Sequence, residues 1–250
     1  MRWPLVIGLV AGCDQAFGLT HYDPDAAPPD SRIIDACIGS HDEDLDGIPD
    51  ACDGCPTAVG NDDKDGDGLG DACDPFPLIP GDSIAVFDGF GGASMIWNGD
   101  GTWAIGADAL RHSTPTLSID TVMVPSTAHA TVDSSFIYVL GADQAYVGVE
   151  LIVDSTPTAC LVSRPSVGVE QLSLFSGTTM EGSPVAFAPG PGPMRLQLSH
   201  REDTTFLCVA SRAGFTVNVS GGASIGTTTG VGFVAYNASI DASSITVLTR

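Results

Sequence analysis

Ten of the eleven aspartates from Asp42 to Asp74 are spaced for one kind of chemistry. The segment Asp42-Glu43-Asp44-Leu45-Asp46-Gly47-Ile48-Pro49-Asp50-Ala51-Cys52-Asp53 aligns with Asp63-Lys64-Asp65-Gly66-Asp67-Gly68-Leu69-Gly70-Asp71-Ala72-Cys73-Asp74 at an offset of 21 residues. Five aspartates, a glycine, an apolar residue and a cysteine coincide in the two copies. A chain that alternates Asp-x-Asp-x-Asp gathers carboxylates around a point. Six to eight hard oxygens at about 2.3–2.6 Å are what Ca²⁺ requires, whereas Mg²⁺ keeps several waters and needs no such cage. Gly47 and Gly68 permit the sharp turn at φ > 0. The expected ligands are Asp42, Asp44, Asp46, Asp50 and Asp53 with the carbonyl of Ile48, then Asp63, Asp65, Asp67, Asp71 and Asp74 with the carbonyl of Leu69. Without metal these carboxylates repel, so cation binding is expected to supply folding free energy.

The spacing follows an EF-hand loop as far as its twelfth position, but that position is Asp rather than Glu. The prolines in Cys55-Pro56 and in Cys73-Asp74-Pro75-Phe76-Pro77 also rule out an exiting helix. Asp-Gly-x-x-Asp-Ala-Cys-Asp with Cys55-Pro56 instead resembles the thrombospondin type 3 repeats, over residues 41–77. The resemblance implies Ca²⁺ held in disulfide-linked turns with almost no regular secondary structure. That family stacks many more repeats than the two present here.

The chain opens Met1-Arg2-Trp3-Pro4-Leu5-Val6-Ile7-Gly8-Leu9-Val10-Ala11-Gly12-Cys13, a basic residue, a short apolar run and small residues. Val10-Ala11-Gly12-Cys13 resembles the bacterial lipobox. The resemblance implies a signal peptide over 1–12, lipidation of Cys13 and a cell-envelope location, at an outer membrane or cell surface rather than an inner membrane. Residues 13–40 are rich in Pro and Asp and too poor in apolar residues for a core, so they read as a tether. Of the seven cysteines, six then remain for pairing outside the cytoplasm. Order and repeat phase favour Cys37–Cys52, Cys55–Cys73 and Cys160–Cys208 among the fifteen connectivities that six cysteines allow.

The elements that carry the rest are short and extended. From residue 82 to 250, runs such as 116–124, 146–153, 194–199, 204–210, 215–219 and 245–248 alternate or are rich in β-branched residues, and Gly, Pro, Ser and Asp break them. With no helical stripe of period 3.6, this predicts a mainly β fold, a two-sheet β-sandwich. Phe87-Asp88-Gly89-Phe90 with Trp97 and Trp103, the late Gly230-Val231-Gly232-Phe233-Val234-Ala235-Tyr236 and a final strand expected beside the first resemble the concanavalin-like (laminin-G-like) jelly rolls.

Composition narrows the partners. Thirty-one acidic against nine basic residues give a net charge of −22, which excludes nucleic-acid phosphates as a partner. The apolar runs are too short for a polytopic membrane protein. A membrane is expected as partner only through the lipid on Cys13. Trp97 and Trp103 are candidates for stacking on a sugar ring, against core packing, the commoner fate of tryptophan.

No catalytic constellation stands out, and the chain is read as a non-enzyme. Gly222-Ala223-Ser224-Ile225-Gly226 fits a nucleophile elbow in letters but lacks the helix that must follow. Glu150 and Asp154 would lie about 13 Å apart along a strand, too far for an acid pair. His200-Arg201-Glu202-Asp203 reads as a hairpin turn, and His112, His129 and His200 as surface or edge histidines. The expected function is display of a sandwich that binds glycan or a surface protein, on a stalk stiffened by Ca²⁺. The alternative is a polysaccharide-degrading jelly roll, in which Glu150 or Glu170 would act.

Overall fold

The computed structural model describes residues 41–91, 97–166, 168–187, 192–222 and 224–250. Signal, lipobox, tether and Cys37 lie outside them. Among the described residues, fourteen strands form two antiparallel sheets. In chain order they are β1 (Ser83–Asp88), β2 (Ala104–Ile105), β3 (Leu110–His112), β4 (Ser118–Thr127), β5 (Ala130–Leu140), β6 (Ala145–Val153) and β7 (Thr156–Ser166). Then come β8 (Val169–Ser176), β9 (Thr179–Ala186), β10 (Met194–His200), β11 (Phe206–Arg212), β12 (Phe215–Gly221), β13 (Thr228–Tyr236) and β14 (Ala238–Thr249).

The larger sheet runs β12-β11-β10-β5-β14-β3-β2, and β1 also pairs with β14. The final strand therefore returns beside the first, with Ser83 opposite Thr249. The smaller sheet runs β4-β13-β6-β7-β8-β9. Alternation sends one face of each strand inward. Val147, Val149, Leu151 and Val153 of β6 and Val231, Phe233 and Ala235 of β13 face Val132 and Phe136 of β5, Leu196 and Leu198 of β10 and Val247 of β14 in one core. Each such burial stabilises by about 1.5–3 kcal/mol. The Cys160–Cys208 disulfide ties β7 to β11 and so staples sheet to sheet. Among the described residues no helix is long and apolar enough to cross a membrane.

Residues 41–82 contain one short 3-10 turn, Asp50–Cys52, and no strand. The Cys55–Cys73 disulfide closes them, and Gly70 N donates to Gly54 O at 3.0 Å. Cys52 is also disulfide-bonded. Cys55 and Leu69 are fully buried and form the small apolar centre of the module. Gly39–Arg250 is a single compact unit. The module packs on the sandwich rather than standing off as a stalk: the His41 ring lies against Gly89 and Gly91, and the Arg250 guanidinium sits 4.9 Å above the Phe76 ring.

Candidate metal centres and an aromatic cavity

The two acidic segments repeat a set of hydrogen bonds at four positions, though Asp63 Oδ1 also accepts from Gly66 N at 2.7 Å. At the first position, Asp42 and Asp63 accept from Gly47 N and Gly68 N, each at 2.9 Å. These two glycines stand at φ +94° and +96°, where a side chain would strain the turn. At the third position, Asp44 and Asp65 accept from Asp46 N and Asp67 N through Oδ1. At the fifth, Asp46 and Asp67 accept from Ile48 N and Leu69 N. At the twelfth, Asp53 and Asp74 accept from Cys55 N and Phe76 N, again through Oδ1.

The second oxygens at the third and twelfth positions behave alike in both copies. Oδ2 of Asp44, Asp53, Asp65 and Asp74 is buried and has no hydrogen-bond partner among the described residues, and neither has Asp42 Oδ1. A buried carboxylate oxygen without a donor costs of the order of 1–3 kcal/mol. Burial pushes the Asp44, Asp53 and Asp74 carboxyls up from their ordinary range. Asp67 is held down instead, mainly by the Leu69 N–H.

One oxygen from each of Asp42, Asp44 and Asp46 lies within 4.8 Å of the others, and the same holds for Asp63, Asp65 and Asp67. These all-oxygen clusters fit a hard divalent cation and offer nothing to a thiophilic one.

Asp50 and Asp71 lie outside both clusters. Asp50 accepts from Glu43 N at 2.9 Å and pairs with His41 Nδ1 at 2.6 Å. Asp71 accepts from Lys64 N at 3.1 Å and pairs with Lys64 Nζ. Both clasp the start of their own repeat. A residue beyond the sequence pattern joins in: Asp82, just before β1, forms a third cluster with Asp67 and Asp74.

On the sandwich, Trp97 and Trp103 line a 640 Å³ cavity with Phe90, Leu110, Asp108 and Asp120. Both tryptophans are half-buried and pack on Phe233, with ring centroids at 5.7 and 5.9 Å. They thus both support the core and wall an opening. Trp97 Nε1 donates to Asp88 Oδ2 at 2.7 Å. Trp103 Nε1 and Asp120 Oδ1 are buried without partners among the described residues, one donor and one acceptor beside the same cavity. Burial pushes Asp120 up to about 6. The sequence hid Asp120, because a single acid in the alternating Ser118-Ile119-Asp120 reads as an outward residue, yet the register turns it in with Ser118 and Val122.

The remaining candidates separate. Glu150 is buried on β6 between Gly232 and Ala159, and burial raises it to about 7. Asp154 sits in the β6–β7 turn and accepts from Thr227 N. Glu170 accepts from Tyr138 Oη and pairs with Arg164. Ser224 lies in the loop between β12 and β13, and residues 201–205 join β10 to β11.

Two histidines correct the expectation of surface or edge positions: His112 and His200 are buried. His112 bonds the Thr102 and Thr114 hydroxyls, and His200 stacks on Phe206 while its Nε2 contacts Ser224 O at 2.9 Å. Both sit at strand ends: loop hydroxyls satisfy both ring nitrogens of His112, whereas His200 Nδ1 is buried without a partner among the described residues.

No protein-family model and no curated protein matches the chain. Solved structures are similar to it in fold. A variant of the GH43 protein BlXynB from Bacillus licheniformis aligns at TM-score 0.53 and 13% identity, over 66% of this chain and 39% of that one. The CBM2 module of the evolved Dit of Lactobacillus casei BL23 phage J-1 aligns at 0.53 and 9%, over 67% and 95%. A GlcNAcα1-4Gal-releasing endo-β-galactosidase from Clostridium perfringens aligns at 0.50 and 8%, over 67% and 63%. The chain thus spans about two fifths of the length of the first. These likenesses establish the β-sandwich fold.

Proposed function

We propose that this is a calcium-binding cell-envelope lipoprotein in which thrombospondin type 3-like repeats carry a glycan-binding sandwich. The observation that carries the reading is the phased set of buried, partnerless carboxylate oxygens at the third and twelfth positions of both repeats. Each is what a cation would satisfy, and chance would not repeat it at the same atom. The Ile48 and Leu69 carbonyls would complete each cage beside the aspartates. The disulfides support an extracytoplasmic site, which fits the lipobox-like Cys13 and a lipid anchor beyond the tether.

Glycan as the ligand draws on the cavity between Trp97 and Trp103, where an aromatic wall meets an indole N–H and one carboxyl oxygen that have no partner among the described residues. Sugar recognition uses such stacking plus hydrogen bonds. The fold shared with a carbohydrate-binding module is consistent with this.

Calorimetric titration of the oxidised, chelator-stripped protein tests the calcium reading. Saturable binding of two or more ions with a raised melting temperature is expected, and no binding overturns it. A glycan array tests the second half: binding abolished by Trp103→Ala with the fold retained supports it, and no binding to any glycan removes it. The alternative, a polysaccharide-degrading enzyme, draws on Glu150, whose raised carboxyl suits a general acid. Hydrolysis of a polysaccharide by the protein, lost in Glu150→Gln, would favour it.

A further inference from the structure

Asp82 falls outside the aspartate pattern but not outside the repeat. At the 21-residue offset Gly81-Asp82 corresponds to Gly60-Asn61. Both glycines have positive φ, +130° and +109°. Asn61 stands near Asp53 in the first copy, and Asp82 faces the equivalent Asp74 in the second. The second repeat therefore runs on to residue 82, where β1 of the sandwich begins.

The backbone draws these groups together. Asp67 Oδ2 accepts from Gly81 N at 2.9 Å and Asp82 N at 2.8 Å. One oxygen each of Asp67, Asp74 and Asp82 then lies within 4.8 Å of the others. Asp74 is 8% and Asp82 5% exposed, and Oδ2 of each is buried without a hydrogen-bond partner among the described residues. The facing cation is Arg250, whose Nη1 stays 3.9 Å from Asp82 Oδ2 while it also reaches Glu202 at 3.5 Å. One guanidinium against three carboxylates leaves two negative charges, which a divalent cation would balance.

We propose that Asp82 is a ligand of the second repeat's divalent cation, so that this ion is held at the root of the first strand of the sandwich. The proposal rests on the calcium reading of the repeats. Metal binding then couples the module to the terminal strands, since β1 pairs with β14 and β14 leads to Arg250.

The test is calorimetric titration of the full, oxidised, chelator-stripped chain with Ca²⁺, for the unaltered protein and for Asp82→Asn, Asp44→Asn and Arg250→Gln. Asp82→Asn is expected to weaken one ion at least tenfold, and Asp44→Asn to weaken a different one. Combining Asp44→Asn with Asp82→Asn then weakens two, whereas Arg250→Gln weakens none. If Asp82 serves only to pair with Arg250, Asp82→Asn and Arg250→Gln destabilise alike and both leave Ca²⁺ affinity unchanged, which overturns the proposal. Binding by the unaltered protein that is unchanged in Asp82→Asn overturns it while the calcium reading stands. No binding by the unaltered protein overturns both. Should Asp82→Asn lose its fold, Asp82→Glu, which retains the charge, must restore the second ion; failure to do so also counts against it.

Discussion

Replacing Asp53 by asparagine should invert its effect on stability according to whether calcium is present. Asp53 is 6% exposed; its Oδ1 accepts from Cys55 N at 2.7 Å and its Oδ2 is bare. Asparagine keeps the acceptor and removes the charge. Without metal, relief of a buried, unsatisfied carboxylate is worth about 1–3 kcal/mol. Burial raises the Asp53 carboxyl, so in the metal-free fold its protonated form is favoured and stability falls as pH rises through that pKa. The gain from asparagine should therefore be present at pH 7 and fade in acid. With calcium the sign turns. Dissociation constants of about 10⁻⁴–10⁻³ M are typical of extracellular modules. At about 10 mM Ca²⁺ such a site contributes about 1.4–2.7 kcal/mol, which the variant forfeits. Urea unfolding of both proteins, in chelator and in calcium, reads the two differences directly. The reasoning fails if the variant is the less stable protein in chelator, or if it keeps the full calcium increment.

Other outcomes follow from the same structure. Glu150→Gln should stabilise the protein at pH 8 by about 3 kcal/mol, from 1.36 kcal/mol per unit between an ordinary 4.5 and about 7. Because the folded-state pKa is raised, that penalty grows from pH 4.5 to 7 and is absent below, so urea midpoints of the two proteins should coincide at pH 4. Replacing Cys55 and Cys73 by serine opens a link of sequence separation 18 and should cost about 3 kcal/mol, with weaker calcium binding in the same titration. Asp120→Asn should raise stability at neutral pH, since burial lifts this carboxyl to about 6, yet reduce any glycan affinity that Trp103→Ala abolishes, as measured on the same array.

The strands were legible because their chemistry is local. In Tyr146-Val147-Gly148-Val149-Glu150-Leu151 the alternation marks the residues that enter the core, Val147, Val149 and Leu151, but not the burial of Gly148 and Glu150 between them. The return of the last strand beside the first was legible only through resemblance, since nothing in Ile245-Thr246-Val247-Leu248 states its neighbour. In the acidic segments, spacing identified the residues that cluster but not which way each carboxylate turns. Asp50 and Asp71 share the pattern yet spend both oxygens on His41, Glu43 and Lys64, partners that depend on the turn closing first. Asp82 was missed because Pro75-Phe76-Pro77 looks like the end of the repeat, while the phase continues through Gly81. The buried histidines and Asp120 were illegible, because a lone polar residue in a strand carries no mark of the register that turns it inward.

The packing of the repeats against the sandwich changes what a cation can do here. On a free stalk, calcium would set only stiffness, and loss of metal would loosen residues 41–77 while leaving the sandwich untouched. Against the sandwich, each repeat touches a different part of it. Asp50 of the first holds His41, whose ring covers Gly89 and Gly91, and Gly91 also borders the tryptophan cavity. Asp67 and Asp74 of the second converge on Asp82 at the root of β1. Contacts thus run from the two repeats to both ends of the segment 82–91, through Asp50 and His41 at one end and the Asp67, Asp74 and Asp82 cluster at the other. Calcium bound at those clusters would hold that segment in place, and metal-free protein should lose order there before the β6, β7 and β13 core is affected. Amide exchange in chelator and in calcium would separate the two arrangements: protection that changes in residues 82–91 as well as 41–77 fits the packed module, and a change confined to 41–77 fits the free stalk.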